Sequence, residues 1–328
     1  MSSIVESVSV PVPSAVPANP TDGIKLVDPA NVAKKAGRSI SQSMDSTLQS
    51  AGWSHAKYMI SKVIGILVLL VLAVITVFPV YYSFAGALMK QQDIASYPPA
   101  IWPEHGITGS NLATAAQIIP LLRQYINSFG STLVITVAQI FTATLVAYAL
   151  TILKVKGAKV WFAFFLGTMM IPGESVIIPN YLTISSLGMR NTFLALVLPF
   201  LASGFGIFMM YSFMQQFPME LVEAARIDGA SNLRLLWSIV LPLCRPAIAS
   251  LGIYTFLTHW NGFFWPLLVT ETPEMQTIQI GITQLQSPDE FNPGLIMAGA
   301  VLAVIPTLFI VVLGQRQIVR GLTAGSSK

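Results

Sequence analysis

An all-α membrane protein with six transmembrane helices is the fold class this sequence predicts, and three observations carry it. Hydrophobic residues make up 54% of the 328-residue chain and charged residues only 10%, against roughly a quarter charged in soluble domains. Mean hydropathy is +0.68. A chain this poor in charge cannot coat a globular surface, so most of it faces lipid. Six apolar runs reach the length of about 20 residues that a spanning helix needs. The basic residues gather in alternate connections between those runs, the distribution that sets orientation in a bilayer. The net charge of +4 therefore reads as topology and not as affinity for nucleic acid.

Residues 1–57 differ from the rest. Pro11, Pro13, Pro17 and Pro20 alternate with Val, Ala and Ser, and a Ser-rich tract runs from Ser39 to Ser50. No apolar periodicity persists, which predicts a cytoplasmic N-terminal extension that is disordered or loosely helical. It has no apolar core followed by a small-residue cleavage site, so it does not read as a secretory signal. Residues 58–328 form the membrane domain.

The first span is expected at about Val63–Tyr82 and carries no charge. An outer segment, about Ser83–Asn127, follows. Its Tyr97-Pro98-Pro99 and Trp102-Pro103 suggest a rigid excursion, either a surface for a substrate-delivering protein or packing against span two. Span two is about Ser128–Leu153, with Gln139 its most polar side chain. Span three starts near Val160 and is interrupted at Pro172-Gly173-Glu174. Span four, about Thr192–Met214, carries Pro199, Gly204 and Gly206. Span five is about Ala247–Val269 and includes His259, Trp260 and Asn261. Span six is about Leu295–Leu313, with Pro306 inside. Pro and Gly are tolerated within spans where neighbours or a cavity satisfy the freed backbone.

With the N-terminus inside, 15 of the 18 Lys and Arg residues fall on the cytoplasmic side; only Lys90, Arg123 and Arg190 do not. The loop after span five holds Glu271, Glu274, Asp289 and Glu290 and no basic residue. Both termini are thus expected in the cytoplasm, together with the polar loop 218–242 and the tail 315–328. Cys244 is the only cysteine, so intrachain disulfides are excluded and a small buried residue is the expected role.

Loop 218–242 is the longest polar break in the C-terminal half. Pro218 suits a first helical turn, and Glu220 and Glu223 lie where the helix dipole favours anions. Gly229 sits at the left-handed position that ends helices. Ser231 is placed to cap a second helix continuing to Leu241, with Pro242 marking the next break. Leu221 and Ala225 fall on one face by spacing, and Ala224 and Ala225 leave room for close approach by a partner. Glu223 and Asp228 offer charge-assisted hydrogen bonds. A plain connecting hairpin accounts for a Glu-Ala-Ala alone. It accounts less well for Gly229 six residues after Glu223 and Ile239-x-Leu241-Pro242 beginning ten after that.

This full spacing resembles the cytoplasmic EAA loop of binding-protein-dependent ABC import permeases. From about Lys62 onward the chain is similar to the carbohydrate-uptake branch, in particular the smaller maltose-type subunit. Met170-Ile171-Pro172 with Ile178-Pro179, Phe217-Pro218, Asp228-Gly229-Ala230-Ser231, Trp260-Asn261 and the run from Gln315 to Gly325 add to the likeness. The resemblance implies the type I ABC importer permease fold, six helices with five in a common core, and a cytoplasmic coupling helix. It implies a second homologous permease subunit, an ATPase subunit dimer and an extracytoplasmic substrate-binding protein, in a bacterial inner membrane. Glu223, Ala224, Ala225, Asp228, Gly229, Leu241 and Pro242 are then the coupling residues. Gln315, Arg316, Gly321, Leu322 and Thr323 are the C-terminal ATPase contact. The N-terminal extension departs from the pattern.

No catalytic residue, metal site or cofactor is expected. The sequence has no G-x-x-x-x-G-K-[S/T] phosphate loop and no HExxH or G-x-S-x-G, so ATP belongs to the partner subunits. Sugars bind by aromatic stacking and amide hydrogen bonds, which makes Asn180, Tyr181, Trp260 and Asn261 the candidate substrate path. Ordinary interhelical packing is the competing account of each. His259, ionisable within a span, is balanced between packing and substrate contact. An ion-coupled secondary transporter needs paired carboxylates or ion sites within spans, and only Glu174 comes near one. A glycerol-phosphate or other polyol-phosphate cargo is the alternative to a neutral saccharide, disfavoured by spans without Lys or Arg.

Overall fold

The computed structural model describes residues 29–286 and 292–323, with side chains from residues 58–286 and 292–315. Every regular element among them is helical. The chain divides into two units, Met1–Ile75 and Thr76–Lys328. In the first, helix α1 (Pro29–Ala87) begins. Its backbone is helical over residues 29–57, and the Pro-rich tract lies outside the described residues. From Tyr58 to Ile75 every side chain is exposed, as an apolar helix meant for lipid requires.

The second unit holds the rest of α1 and all later elements. Gly86 approaches the helix near Met297 so closely that a Cβ there would meet its sulfur. The excursion after span one follows, with α2 (Gln91–Ile94) and α3 (Ser110–Ile118). Buried Asp93 organises it. Its carboxylate accepts from the His105 backbone N–H at 3.3 Å and from the His105 ring. These His105 hydrogen bonds hold the Asp93 carboxyl below its usual range, against the opposing effect of burial. Asn111 donates to the Met89 carbonyl at 2.9 Å, and Tyr81 to that of Ile101 at 2.9 Å.

Helix α4 (Leu121–Thr151) is span two. Its buried face is polar, with Gln124, Ser128, Ser131, Thr132, Thr136 and Gln139 recurring at helical spacing. Span three is α5 (Ala158–Met169) and α6 (Gly173–Ser186), bent by 93° at the expected Pro172-Gly173 interruption. Span four is α7 (Phe193–Val197), a 3₁₀ turn at Leu198–Phe200, and α8 (Gly204–Met214), bent by 45°. Ser203 caps α8 by accepting from the Gly206 N–H. Gly204 lets α8 lie against α5: a Cβ there would come within 2.5 Å of Thr168 Oγ1. Gln139 repairs the break in span four. Its amide donates to the freed Phe200 carbonyl at 2.8 Å and accepts from Thr255 at 3.2 Å. His259 joins this bracket, with Nε2 at 3.3 Å from the Gln139 amide nitrogen and its ring against Phe200. It packs there.

The polar hairpin comprises α9 (Met219–Ile227), α10 (Asn232–Leu235), a π turn at Leu236–Val240 and α11 (Leu241–Leu243). Then α12 (Arg245–Trp260) departs at 75°. The fifth span corrects the sequence expectation. It ends at Trp260 and not at Val269, because the Asn261 amide folds back onto the Leu257 carbonyl at 2.8 Å. Residues 264–269 form a separate helix, α13 (Phe264–Val269), followed by α14 (Ile278–Thr283) and by α15 (Pro293–Thr323) with Pro306 inside. Three helices are by themselves long and apolar enough to cross a membrane, and six spans result if each bent pair counts as one.

Candidate functional site

The hairpin's local geometry follows from its punctuation. Pro218 is the N-cap of α9, and Glu220 lies in the first turn. At the far end the Gly229 N–H donates to the Arg226 carbonyl at 3.0 Å and the Ala230 N–H to the Ala225 carbonyl at 2.9 Å. This pair of bonds is the Schellman stop, with Gly229 at φ +79°. Ser231 then accepts from the Arg234 N–H at 3.4 Å and starts the second arm. That arm does not break at Pro242. It continues to Leu243 and turns at Cys244. The π turn just before Pro242 widens the helix where the proline ring and its missing N–H disturb the ladder.

Tertiary packing decides which face of α9 is free. Val222 is fully buried and Ala225 is 7% exposed, both in a cluster with Ala147, Tyr148, Leu235 and Val240. Leu221 is 45% exposed. The expected grouping of Leu221 and Ala225 on one face is therefore corrected: Ala225 belongs to the core, and the free face is Glu220, Leu221, Glu223, Ala224, Ile227 and Asp228. Two bonds lock the hairpin to span two. Tyr148 donates its hydroxyl proton to the Asn232 carbonyl at 2.9 Å, and Arg226 donates to the Ile152 carbonyl at 3.5 Å. Leu241 and Pro242 are half-buried.

The second arm adds a feature that sequence reasoning missed. Leu233 and Trp237, one turn apart, are both mainly exposed. With Phe141, Thr144 and Leu145 they line an apolar groove of about 470 Å³. Their i, i+4 spacing was the available signal.

The expected substrate-path residues separate into different settings. Trp260 is fully buried: its indole N–H donates to the Ala303 carbonyl at 3.0 Å, and its ring stacks on Phe256. Its indole N–H is thus engaged, and its ring is enclosed by Phe256 and Tyr125. Asn261 is exposed, with its amide nitrogen turned to the end of α12. Asn180 and Tyr181 on α6 are half-buried, and the Arg190 guanidinium lies over the Tyr181 ring at 5.6 Å while pairing with Glu271. Gln315 is exposed on α15. The backbone stays helical to Thr323, and the side chains of Arg316, Gly321, Leu322 and Thr323 lie outside those described.

The model of the family described as "Binding-protein-dependent transport system inner membrane component" matches residues 139–324, more than half of the chain and all of the hairpin. The chain belongs to this family. Among similar proteins is the sn-glycerol-3-phosphate transport system permease protein UgpE of Agrobacterium fabrum (strain C58), 36% identical over 273 residues, which cover 80% of this chain and 96% of the relative. The UgpE protein of Yersinia enterocolitica is 34% identical over 275 residues, 79% of this chain and 92% of the relative. A crystal structure of a bacterial ABC transporter involved in the import of the acidic polysaccharide alginate shares the fold. Its TM-score is 0.71 at 20% identity, over 78% of this chain and 96% of that one.

The permease is thus a multi-pass inner-membrane component of an ABC importer. Its stop residue is open to a clean test. Nothing lies within 4 Å of where a Gly229 Cβ would sit, so Gly229→Ala meets only the backbone cost of positive φ. That cost is about 1–2 kcal/mol, expected as a fall of about 2–4 °C in melting temperature. Gly229→Asn should lose less, because Asn tolerates the left-handed region. Equal melting of Gly229→Ala and the parent protein would show that this turn is not closed as described.

Proposed function

We propose that the permease carries a sugar or related polyol, delivered by an extracytoplasmic binding protein, through a pore shared with a second homologous subunit. An ATPase subunit dimer supplies the energy, since the sequence has no phosphate-binding loop of its own. One observation carries this reading: α9 is pinned to the bundle by Val222 and Ala225 while Leu221, Ala224 and Ile227 stand exposed between carboxylates. A fixed helix with a small, apolar, acid-flanked outer face suits docking onto a protein and not onto lipid. Glu223, Ala224, Asp228 and Gly229 make that contact, supported from inside by Ala225, Leu241 and Pro242. The end of α15, from Gln315 through Arg316 to Gly321, Leu322 and Thr323, reaches the same ATPase dimer. Both termini then lie in the cytoplasm, in agreement with the positions of the basic residues. Coupling requires that the docked helix bind open and closed ATPase differently.

A glycerol-phosphate cargo is the second reading, favoured by the name that the relatives bear. The test is uptake by the reconstituted complex with its binding protein, comparing neutral saccharides with glycerol 3-phosphate. Neutral sugar transported and the phosphate ester refused supports the first reading; the reverse supports the second. Solute movement by this chain alone, driven by an ion gradient and indifferent to ATP, would falsify both.

A further inference from the structure

We propose that α4 is a positioning strut that ties the outer loop between α13 and α15 to the hairpin, so that both move with one rigid body. The proposal rests on the transport reading above and assigns its transmission to particular residues.

The outer attachment is built from buried side chains that grip backbone. Asn127 donates to the Glu274 carbonyl at 2.7 Å and to that of Gln276 at 3.1 Å. Ser128 accepts from the Ile278 N–H at 2.8 Å, and Gln124 donates to the Pro273 carbonyl at 3.3 Å. Gly281 has no side chain where the Gln124 amide lies; a Cβ there would sit 1.8 Å from Oε1. Four backbone groups and one glycine thus seat residues 273–281 on the first two turns of α4. Breaking such a buried bond leaves a carbonyl or N–H without its partner.

The inner attachment lies at the opposite end of the same helix. Tyr148 and the Ile152 carbonyl just beyond the last turn hold Asn232 and Arg226 of the hairpin. Ala143, Ala147, Tyr148 and Ile152 pack in one cluster with Val222, Ala225, Leu235 and Val240. Between the two attachments α4 runs unbroken and without proline, over about 30 Å at 1.5 Å per residue. Spans three and four are bent by 93° and 45° at a break, and span five meets the hairpin's second arm at 75°. A displacement applied to those helices can be absorbed at the bend. One applied to α4 moves both ends, because a close-packed helix has no slack.

A structural network becomes a pathway only when coupling is measured. The experiment uses the complete complex with its binding protein and compares ATP hydrolysis without and with solute-loaded binding protein. Asn127→Ala, Ser128→Ala and Tyr148→Phe are expected to keep basal hydrolysis within about twofold of the parent. Each should lose at least fivefold of the stimulation by binding protein. The double variant Asn127→Ala/Tyr148→Phe should fall no further than the worse single, since both ends serve one strut. Parent-like stimulation in the single variants, parallel loss of basal and stimulated hydrolysis, or multiplicative loss in the double variant would each overturn the proposal. If Asn127→Ala does not assemble, Ser128→Ala, which removes one hydrogen bond at nearly constant volume, carries the outer arm. Failure of every variant to assemble would assign these contacts to folding. A parent complex that binding protein does not stimulate refutes the transport reading itself, which separates the two failures.

Discussion

Glu223→Lys leaves the permease folded and cuts ATP-driven uptake at least tenfold. Glu223 is exposed on α9, and among the described residues it forms no ion pair within the chain. Surface changes of this kind usually alter a protein's own stability by no more than about 0.5 kcal/mol. Any large effect therefore reads the partner. Truncating one member of a charge pair that becomes buried in an interface costs about 2–5 kcal/mol, and reversing its sign adds repulsion. Co-purification of the ATPase and uptake in vesicles should fall together, while melting of the isolated permease stays put. Parent-like uptake in this variant would remove α9 from the docking role and leave the hairpin a connector.

Trp260→Ala is the largest expected loss of stability. The residue is fully buried between Tyr125 and Phe256, with its N–H on the Ala303 carbonyl. Emptying such a site costs about 3–5 kcal/mol, so the variant should accumulate poorly and melt early. Trp260→Phe keeps an aromatic side chain but loses one of the two fused rings and the hydrogen bond to Ala303, so it should cost less than Trp260→Ala and still fold. It is expected to transport with the parent KM. A KM raised tenfold or more in a well-folded Trp260→Phe would show that the indole meets the solute after all.

These two residues mark the boundary of what a linear reading reaches. The helix that carries Glu223 was legible because its signals are local: a proline before, a glycine after, and a cap residue beyond. Each acts over one helical turn, so spacing suffices. The setting of Trp260 was not legible, because nothing nearby in sequence discloses Ala303, Phe256 and Tyr125 closing over it. The same blindness affected α9. Leu221, Val222, Ala225 and Ile227 spread apolar character around a nine-residue helix, so periodicity could not choose the buried face. The end of span five was missed because apolar residues continue past Trp260, and only the backward hydrogen bond of Asn261 shows the stop.

Taken alone, the amino-acid order determined that the chain lives in a membrane, how many times it can cross, where span three breaks, and which hairpin stands out from the spans. Composition, proline, glycine and charge placement act within a few residues, and lipid imposes the rest. Only the folded chain decided which side of α9 is free, that His259 meets Gln139 and Phe200, that Trp260 is enclosed by Phe256 and Tyr125, and that Asn127 and Ser128 grip a loop 147 to 150 residues away. Those outcomes depend on which surfaces meet in space, and a buried amide in a helix looks the same in sequence whichever distant carbonyl it satisfies.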